Sequence, residues 1–217
     1  MIFDWRFALQ ILPELMRALL VTVQATLAGF AIALVLGMAW ALLRRSKSVT
    51  FSRTVFWFVE FIRSTPLLVQ VYFMFFALPE YGLKLSPLAT GVAALGLHYS
   101  AYLSEVFRAG IEAVPRGQWE AARALNMSRY RTWTRVILPQ AIPPVTPVLG
   151  NYLIAMFKDT PMLAAITVME LLQSAKLIGA QTFRYMEPLT LVGLLFLLVS
   201  LMSSFIIRRL ENKFNTV

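Results

Sequence analysis

The chain alternates long apolar runs with short basic ones. The first uncharged run, Ala18 to Leu43, is 26 residues long, and a helix needs about 20 to cross a bilayer core. It exceeds the roughly 7–15 apolar residues of a signal-peptide core, and Ala31-Ile32-Ala33 lies in its middle rather than after it, so it reads as a retained span over 18–43. Gly29 and Gly37 within it permit close helix packing. The next uncharged run, Ser64 to Pro79, has only 16 residues. A second span is therefore expected over about 55–78, with Glu60 and Arg63 at its start as i, i+3 neighbours. Thr65-Pro66 predicts a kink there, because proline removes a backbone donor and clashes with the preceding turn. The third span, about 87–107, carries His98, Tyr99, Ser100 and Tyr102 and ends on Glu105 and Arg108, again i, i+3. The fourth, about 136–157, has Pro139, Pro143, Pro144 and Pro147 in its first turns, which predicts a broken or distorted start. Lys158-Asp159-Thr160-Pro161 interrupts it. Residues 161–175 read as a re-entrant or broken continuation, a half-apolar helix, and 176–187 as an outer polar loop. The fifth span, about 188–207, ends at Arg208, Arg209 and Lys213.

This pattern predicts an all-α polytopic membrane protein of five transmembrane helices forming one domain over 1–217. The runs are continuously apolar, whereas a spanning barrel alternates at period two. Composition agrees: 59% of residues are hydrophobic and 14% charged, against about 25% charged in a soluble domain, and the mean hydropathy is +0.68. Residues 1–17 mix Phe3, Trp5 and Phe7 with Asp4, Arg6, Glu14 and Arg17, which suits a membrane interface or an ordinary ordered terminus.

The net charge of +9 would point a soluble protein toward nucleic acid. Here the positives fall mainly on one side: fourteen of the 20 Lys and Arg lie after the first span, after the third, or at the C-terminus. By the positive-inside rule that side is the cytoplasm, so the N-terminus is expected outside and the C-terminus inside, in a bacterial plasma membrane. No nucleic-acid partner is expected. With no cysteine and one histidine, neither a disulfide framework nor a metal site is expected.

The loop over 108–135 differs from everything around it. Six arginines fall between Arg108 and Arg135. Trp119 to Leu125 is built of good helix formers, with Arg116–Glu120 and Glu120–Arg123 as possible side-chain pairs. Asn126 suits the left-handed residue that ends a helix, and Ser128 suits the cap of the next one. The expectation is helix, sharp turn, helix on the cytoplasmic face.

Glu120-Ala121-Ala122, Asn126, Val136, Leu138 and Pro139 resemble the EAA loop of ABC importer permeases, in which E-A-A is followed by G, I and L-P at the same spacing. Asn126 stands for the usual glycine and Val136 for isoleucine. Phe61 to Gln70 (FIRSTPLLVQ) and Tyr102 to Ile111 (YLSEVFRAGI) resemble the second- and third-span signatures of the polar amino-acid (histidine, glutamine, arginine) permeases. Lys158-Asp159-Thr160 resembles a further segment of that family, from which Pro161 and Met162 depart. Within the family the chain leans toward permeases for ectoine and hydroxyectoine. The resemblance implies the type I ABC importer permease fold with a cytoplasmic coupling helix. It implies a pore built with a second identical or homologous permease subunit, a cytoplasmic ATPase dimer and an external solute-binding protein. It places ATPase coupling on Gly117, Glu120, Ala121, Ala122, Arg123, Asn126, Leu138 and Pro139. ATP and magnesium would belong to the partner ATPase: this chain has no G-x-x-x-x-G-K-[ST] phosphate loop, so no cofactor and no catalytic residue is expected on it.

Ionisable groups inside spans are costly and often functional. His98, Tyr102, Asp159, Thr160, Glu170 and Gln173 are the candidates for a solute path. Alternatives stand beside each role: His98 as a helix–helix hydrogen bonder, Tyr99 and Tyr102 as packing residues, Asp159 paired with Lys158. Glu60 with Arg63, and Glu105 with Arg108, read as structural ion pairs. A broken helix near Asp159 suits a site where free backbone groups meet a polar solute. Other functions stand beside this one; uptake of an oligopeptide or sugar is disfavoured by the short chain and the Arg63-to-Gln70 signature. An ion-coupled secondary transporter would show internal repeats, which are not evident here. A membrane assembly protein without a pore would form complexes that do not transport.

Overall fold

The computed structural model describes residues 3–214, with side chains through Arg209; Lys213, expected among the inner positives, has its side chain outside the described residues. Helix α1, Trp5–Leu43, runs 39 residues and so begins well before Ala18. Asp4 caps it, accepting from the Arg6 and Phe7 backbone N–H at 2.9 and 3.2 Å. Its buried face is a seam of small side chains, including Ala18, Thr22, Ala25, Gly29, Ala33, Gly37 and Ala41, three to four residues apart. Against that seam lies α4, Pro87–Ala113, opened by Ser86 as cap and proline at its first position. The backbones come close: a Cβ on Gly37 would sit 2.9 Å from Leu103 Cβ and 3.0 Å from the Ser100 carbonyl oxygen. Trp40 Nε1 also donates to Ser100 Oγ at 3.1 Å. The expectation placed on Gly29 and Gly37 is met, and small residues are how helices approach in a bilayer.

The second span is not a kinked rod. Helix α2, Val49–Ser64, begins earlier than Val55. It stops at Thr65-Pro66, and α3, Leu67–Tyr72, followed by a wide turn over Phe73–Ala77 and a tight one over Leu78–Tyr81, leaves at 103°. Proline excludes the helical conformation at Thr65, which is extended at φ −108, ψ 140. Gln70 then fastens the break, its Nε2 donating to the Ile62 carbonyl at 2.8 Å and to Thr65 Oγ1 at 2.6 Å.

After α4 come the short helices α5, Arg116–Ala124, and α6, Arg129–Thr132. A π-turn over Trp133–Ile137 leads into α7, Leu138–Asp159. The four prolines do not break α7. The distortion falls one turn ahead of them, where Leu138 N–H bonds back to Trp133, a wider turn that accommodates Pro139 without its missing donor. At Thr160-Pro161 the chain tightens into a 3₁₀ stretch, Thr160–Ile166, and turns through Thr167 at φ 63. It resumes as α8, Leu171–Thr182, at 48° to what precedes it. Residues 176–182, expected as outer loop, are therefore helical, and the regular helix expected from Met162 starts only at Leu171. Phe183 (φ 56) ends α8, and α9, Met186–Phe214, follows.

On length and composition, the described residues hold two helices able to cross a membrane alone, α1 and Met186–Arg209, or four crossings if each bent pair counts as one. Helix α4, 27 residues long and expected as the third of five spans, is not among them. It carries polar side chains, but His98, Ser100 and Ser104 are buried against its neighbours rather than turned outward.

Candidate functional site

Two groups of residues stand out, one on the basic loop and one between α4 and α7. The loop folds as its sequence predicts. Asn126 is left-handed at φ 48. Its N–H bonds to the Arg123 carbonyl at 2.9 Å, and the Met127 N–H reaches Ala122 at 3.0 Å, the paired bonds of a Schellman stop. Ser128 caps α6, accepting from Arg131 N–H at 3.4 Å. One face of α5 is pinned. Ala122 is buried, and Trp119 meets Trp133 edge to face at 5.2 Å over a small cluster of Ile111, Val114, Ile137 and Ala141. The other face is bare: Glu120, Ala121, Arg123, Ala124 and Leu125 are exposed, as are Gly117 and Pro139, with Leu138 half-buried. Glu120 forms no ion pair with Arg116 or Arg123 among the described residues; all three are exposed, where pairing gains little. Leu125 at 75% and Tyr130 at 77% exposure are large apolar groups flanking the turn.

Above this loop lies an ion-pair network. Both expected pairs form: Arg63 Nη1 to Glu60 Oε1 at 2.7 Å, and Arg108 Nη2 to Glu105 Oε2 at 2.8 Å. They are not separate, because Arg44 from the end of α1 also binds Glu105 and Arg63 lies 3.8 Å from it. Glu105 thus ties α1, α2 and α4 together. Arg108 also binds Glu112 at 2.7 Å.

The second group is aromatic and polar. His98 and Tyr102, one turn apart on α4, have ring centres 5.2 Å apart. Tyr152 of α7 closes on Tyr102 at 6.0 Å and on Tyr99 at 6.3 Å. Tyr99 donates its hydroxyl to Asp159 Oδ2 at 2.7 Å, so Asp159 is held by a tyrosine and not by Lys158. His98 Nδ1 lies 3.2 Å from Gln70 Oε1, the glutamine that fastens the α2–α3 break. Tyr102 donates to the Arg63 carbonyl at 3.2 Å, with the Arg63 guanidinium 5.6 Å from its ring centre. Tyr102, Tyr152 and Asp159 keep partial exposure. Of the sequence candidates, His98, Tyr102 and Asp159 are therefore brought together.

Thr160, Glu170 and Gln173 are not part of that cluster. Thr160 is fully buried and donates to the Phe157 carbonyl at 2.7 Å. Glu170, also fully buried, caps α8, accepting from Gln173 N–H at 2.6 Å and Leu172 N–H at 2.9 Å. The Leu171 N–H finds Thr22 Oγ1 at 3.1 Å. These residues satisfy the orphan backbone groups that a helix break creates. Gln173 lies on α8 with its Oε1 buried and unpartnered. Sequence reasoning missed Tyr152 and Gln70 as members of the cluster. Tyr152 was accessible, since it lies seven residues before Asp159 and so on the same helical face.

Residues 33–216 match the family model described as "Binding-protein-dependent transport system inner membrane component". A probable amino-acid ABC transporter permease protein of Sinorhizobium fredii is 49% identical over 204 residues, 93% of this chain and 87% of that protein. The glutamine transport system permease protein of Escherichia coli is 34% identical over 213 residues, covering 97% of each. Among solved structures, an amino acid ABC transporter crystallised with histidines superposes with a TM-score of 0.89 at 32% identity, over 98% of this chain and 100% of that one.

Proposed function

The chain belongs to the family of inner-membrane components of binding-protein-dependent transport systems, and on that premise we propose that it is the permease subunit of an ATP-driven importer of amino acids or related zwitterions, ectoine among them. The observation that carries the reading is α5: a short helix locked on one face by Ala122 and Trp119 and bare on the other at Glu120, Ala121 and Arg123. Small side chains let a partner surface approach closely, and the charges steer it. A cytoplasmic ATPase dimer docks there, with Leu125 and Tyr130 as apolar anchors on either side of the turn. A second permease subunit completes the pore, and an external binding protein delivers the solute. Hydrolysis belongs to the ATPase. This chain's part is to turn a push on α5 into a change of access between the helices above it.

The solute path runs past His98, Tyr102 and Asp159, with Tyr99 and Tyr152 beside them. Tyrosine faces and a carboxylate suit a solute's ammonium group. The N-terminus faces outward, and the basic stretches that follow α1 and α4, with the arginines of α9, face the cytoplasm, as the distribution of arginines supports.

The test is Glu120→Lys in the complete complex, reconstituted in vesicles with ATPase and binding protein. The variant is expected to insert normally but to lose ATP-driven uptake. Normal uptake, or uptake that follows an ion gradient without the ATPase, defeats the proposal.

A further inference from the structure

Arg44 and Arg45 stand side by side where α1 ends, and their guanidiniums go to different places. Arg44 joins Glu105, the hub of the network across α1, α2 and α4. Arg45 turns toward the loop. Its guanidinium carbon lies 5.6 Å from the Trp119 ring centre and 5.9 Å from that of Trp133. A guanidinium within about 6 Å of an indole face is attracted by the ring's quadrupole. Here one cation serves two rings, one on α5 and one on the π-turn that opens the way to α7.

The covalent joint makes this contact matter. Helix α5 leaves α4 through Val114 and Pro115, at ψ 123 and 139 respectively, so the two helices meet at an extended pivot rather than as one rod. The elements behind it are closely packed. A Cβ on Gly96 would lie 2.6 Å from Ile32 Cγ2, and one on Gly37 2.9 Å from Leu103 Cβ, so α1 and α4 meet almost backbone to backbone.

We propose that Arg45 is a positioning residue for energy coupling: it braces the coupling helix against the inner end of α1, so that displacement of α5 reaches the α1–α4 unit directly instead of being absorbed at Val114-Pro115. The inference rests on the importer reading above and deepens it. Arg45 lies outside the E-A-A pattern. It acts through the two indoles.

The experiment uses the whole reconstituted complex and measures solute imported per ATP hydrolysed. Arg45→Gln keeps the length and removes the charge, and Arg45→Lys keeps the charge. An exposed cation–π contact is worth enough to shift an equilibrium roughly two- to fivefold. Arg45→Gln is expected to lower the transport-to-hydrolysis ratio by about that factor, while Arg45→Lys restores most of it. A second readout does not depend on activity. The chain has no cysteine, so Lys47→Cys and Ala124→Cys accept a pair of spin labels. Their distance distribution is expected to broaden in Arg45→Gln and stay narrow in Arg45→Lys. An unchanged ratio in Arg45→Gln, an equal loss in Arg45→Lys, or an unaltered distance distribution overturns the brace. If Arg45→Gln does not assemble, Trp119→Phe, which keeps an aromatic but weaker face, carries the test: a lowered ratio supports the brace and a parental one overturns it. A parental ratio in Arg45→Gln alongside inactive Glu120→Lys removes the brace alone. Normal transport by Glu120→Lys removes the importer reading as well.

Discussion

Asn126 shows what a single residue contributes. Its backbone at φ 48 is a conformation in which a side chain with Cβ is strained by about 1–2 kcal/mol, and which asparagine tolerates better than most. Asn126→Ala is expected to destabilise the turn by about 1 kcal/mol, and Asn126→Gly to be neutral or slightly favourable. Thermal unfolding of the detergent-solubilised chain measures both, and an Asn126→Ala as stable as Asn126→Gly refutes the account. Asn126 and Ser128 were legible in the sequence because turn and cap chemistry is local. Glu170 was not. A buried carboxylate near a helix break reads equally as a solute ligand or as a cap, and only the two N–H groups pointing at it, from Leu172 and Gln173, decide for the cap. Arg44 on Glu105 was beyond reach, since the two are 61 residues apart and no local pattern joins them.

At the scale of elements, the chain's breaks are better supported than its sequence suggests. Thr65-Pro66 announces an interruption, but not a turn of 103°. That angle depends on Gln70 bonding back across the gap and on His98 meeting Gln70 from α4. Likewise the prolines of α7 announce distortion but not its location, because an upstream π-turn takes it up. Where α4 and α7 face each other, Tyr99 presents Asp159 to the tyrosine cluster. Asp159→Asn keeps the size and the Tyr99 partner while removing the charge. For a solute bearing an ammonium group, uptake at low concentration is expected to fall by about tenfold, or about 1.4 kcal/mol, with hydrolysis by the docked ATPase retained. Unchanged half-saturation and rate in reconstituted vesicles would remove Asp159 from the path.

At the scale of the whole molecule, the start of α1 is stitched to the start of α9. Glu187 of α9 accepts from the Asp4 backbone N–H at 3.1 Å, and Arg184 spans Asp4 and Glu187 at 3.3 and 2.5 Å. The Phe7 N–H, aided by that of Arg6 and by Arg184, holds the Asp4 carboxyl below its ordinary 3.8 against the opposing effect of burial. A carboxyl whose pKa is lower folded than unfolded stabilises the fold above its ordinary titration range, and that contribution is lost as pH falls through the folded pKa. The midpoint of thermal unfolding is therefore expected to drop on acidification. Asp4→Asn should lie below the parent at pH 7 and converge with it in acid. Parallel curves would refute the linkage. This stitch was invisible in the sequence, whereas the class of fold was not, because apolar runs of spanning length and a one-sided excess of arginine are properties of the whole chain.

The length of α1 carries one more implication. Thirty-nine helical residues extend about 58 Å, nearly twice a hydrocarbon slab of about 30 Å. Even leaning at about 40°, the steep end of observed tilts, the helix immerses only about 26 of them. Roughly thirteen remain dry of lipid, which is the stretch from Trp5 to Arg17, with its Arg6, Glu14 and Arg17. That stretch does not stand alone, because Ile11 and Leu15 are buried with Leu171, Ala175 and Ile178 of α8 and Val192 of α9, so whatever approaches from the side away from Arg44 meets a packed helical platform first.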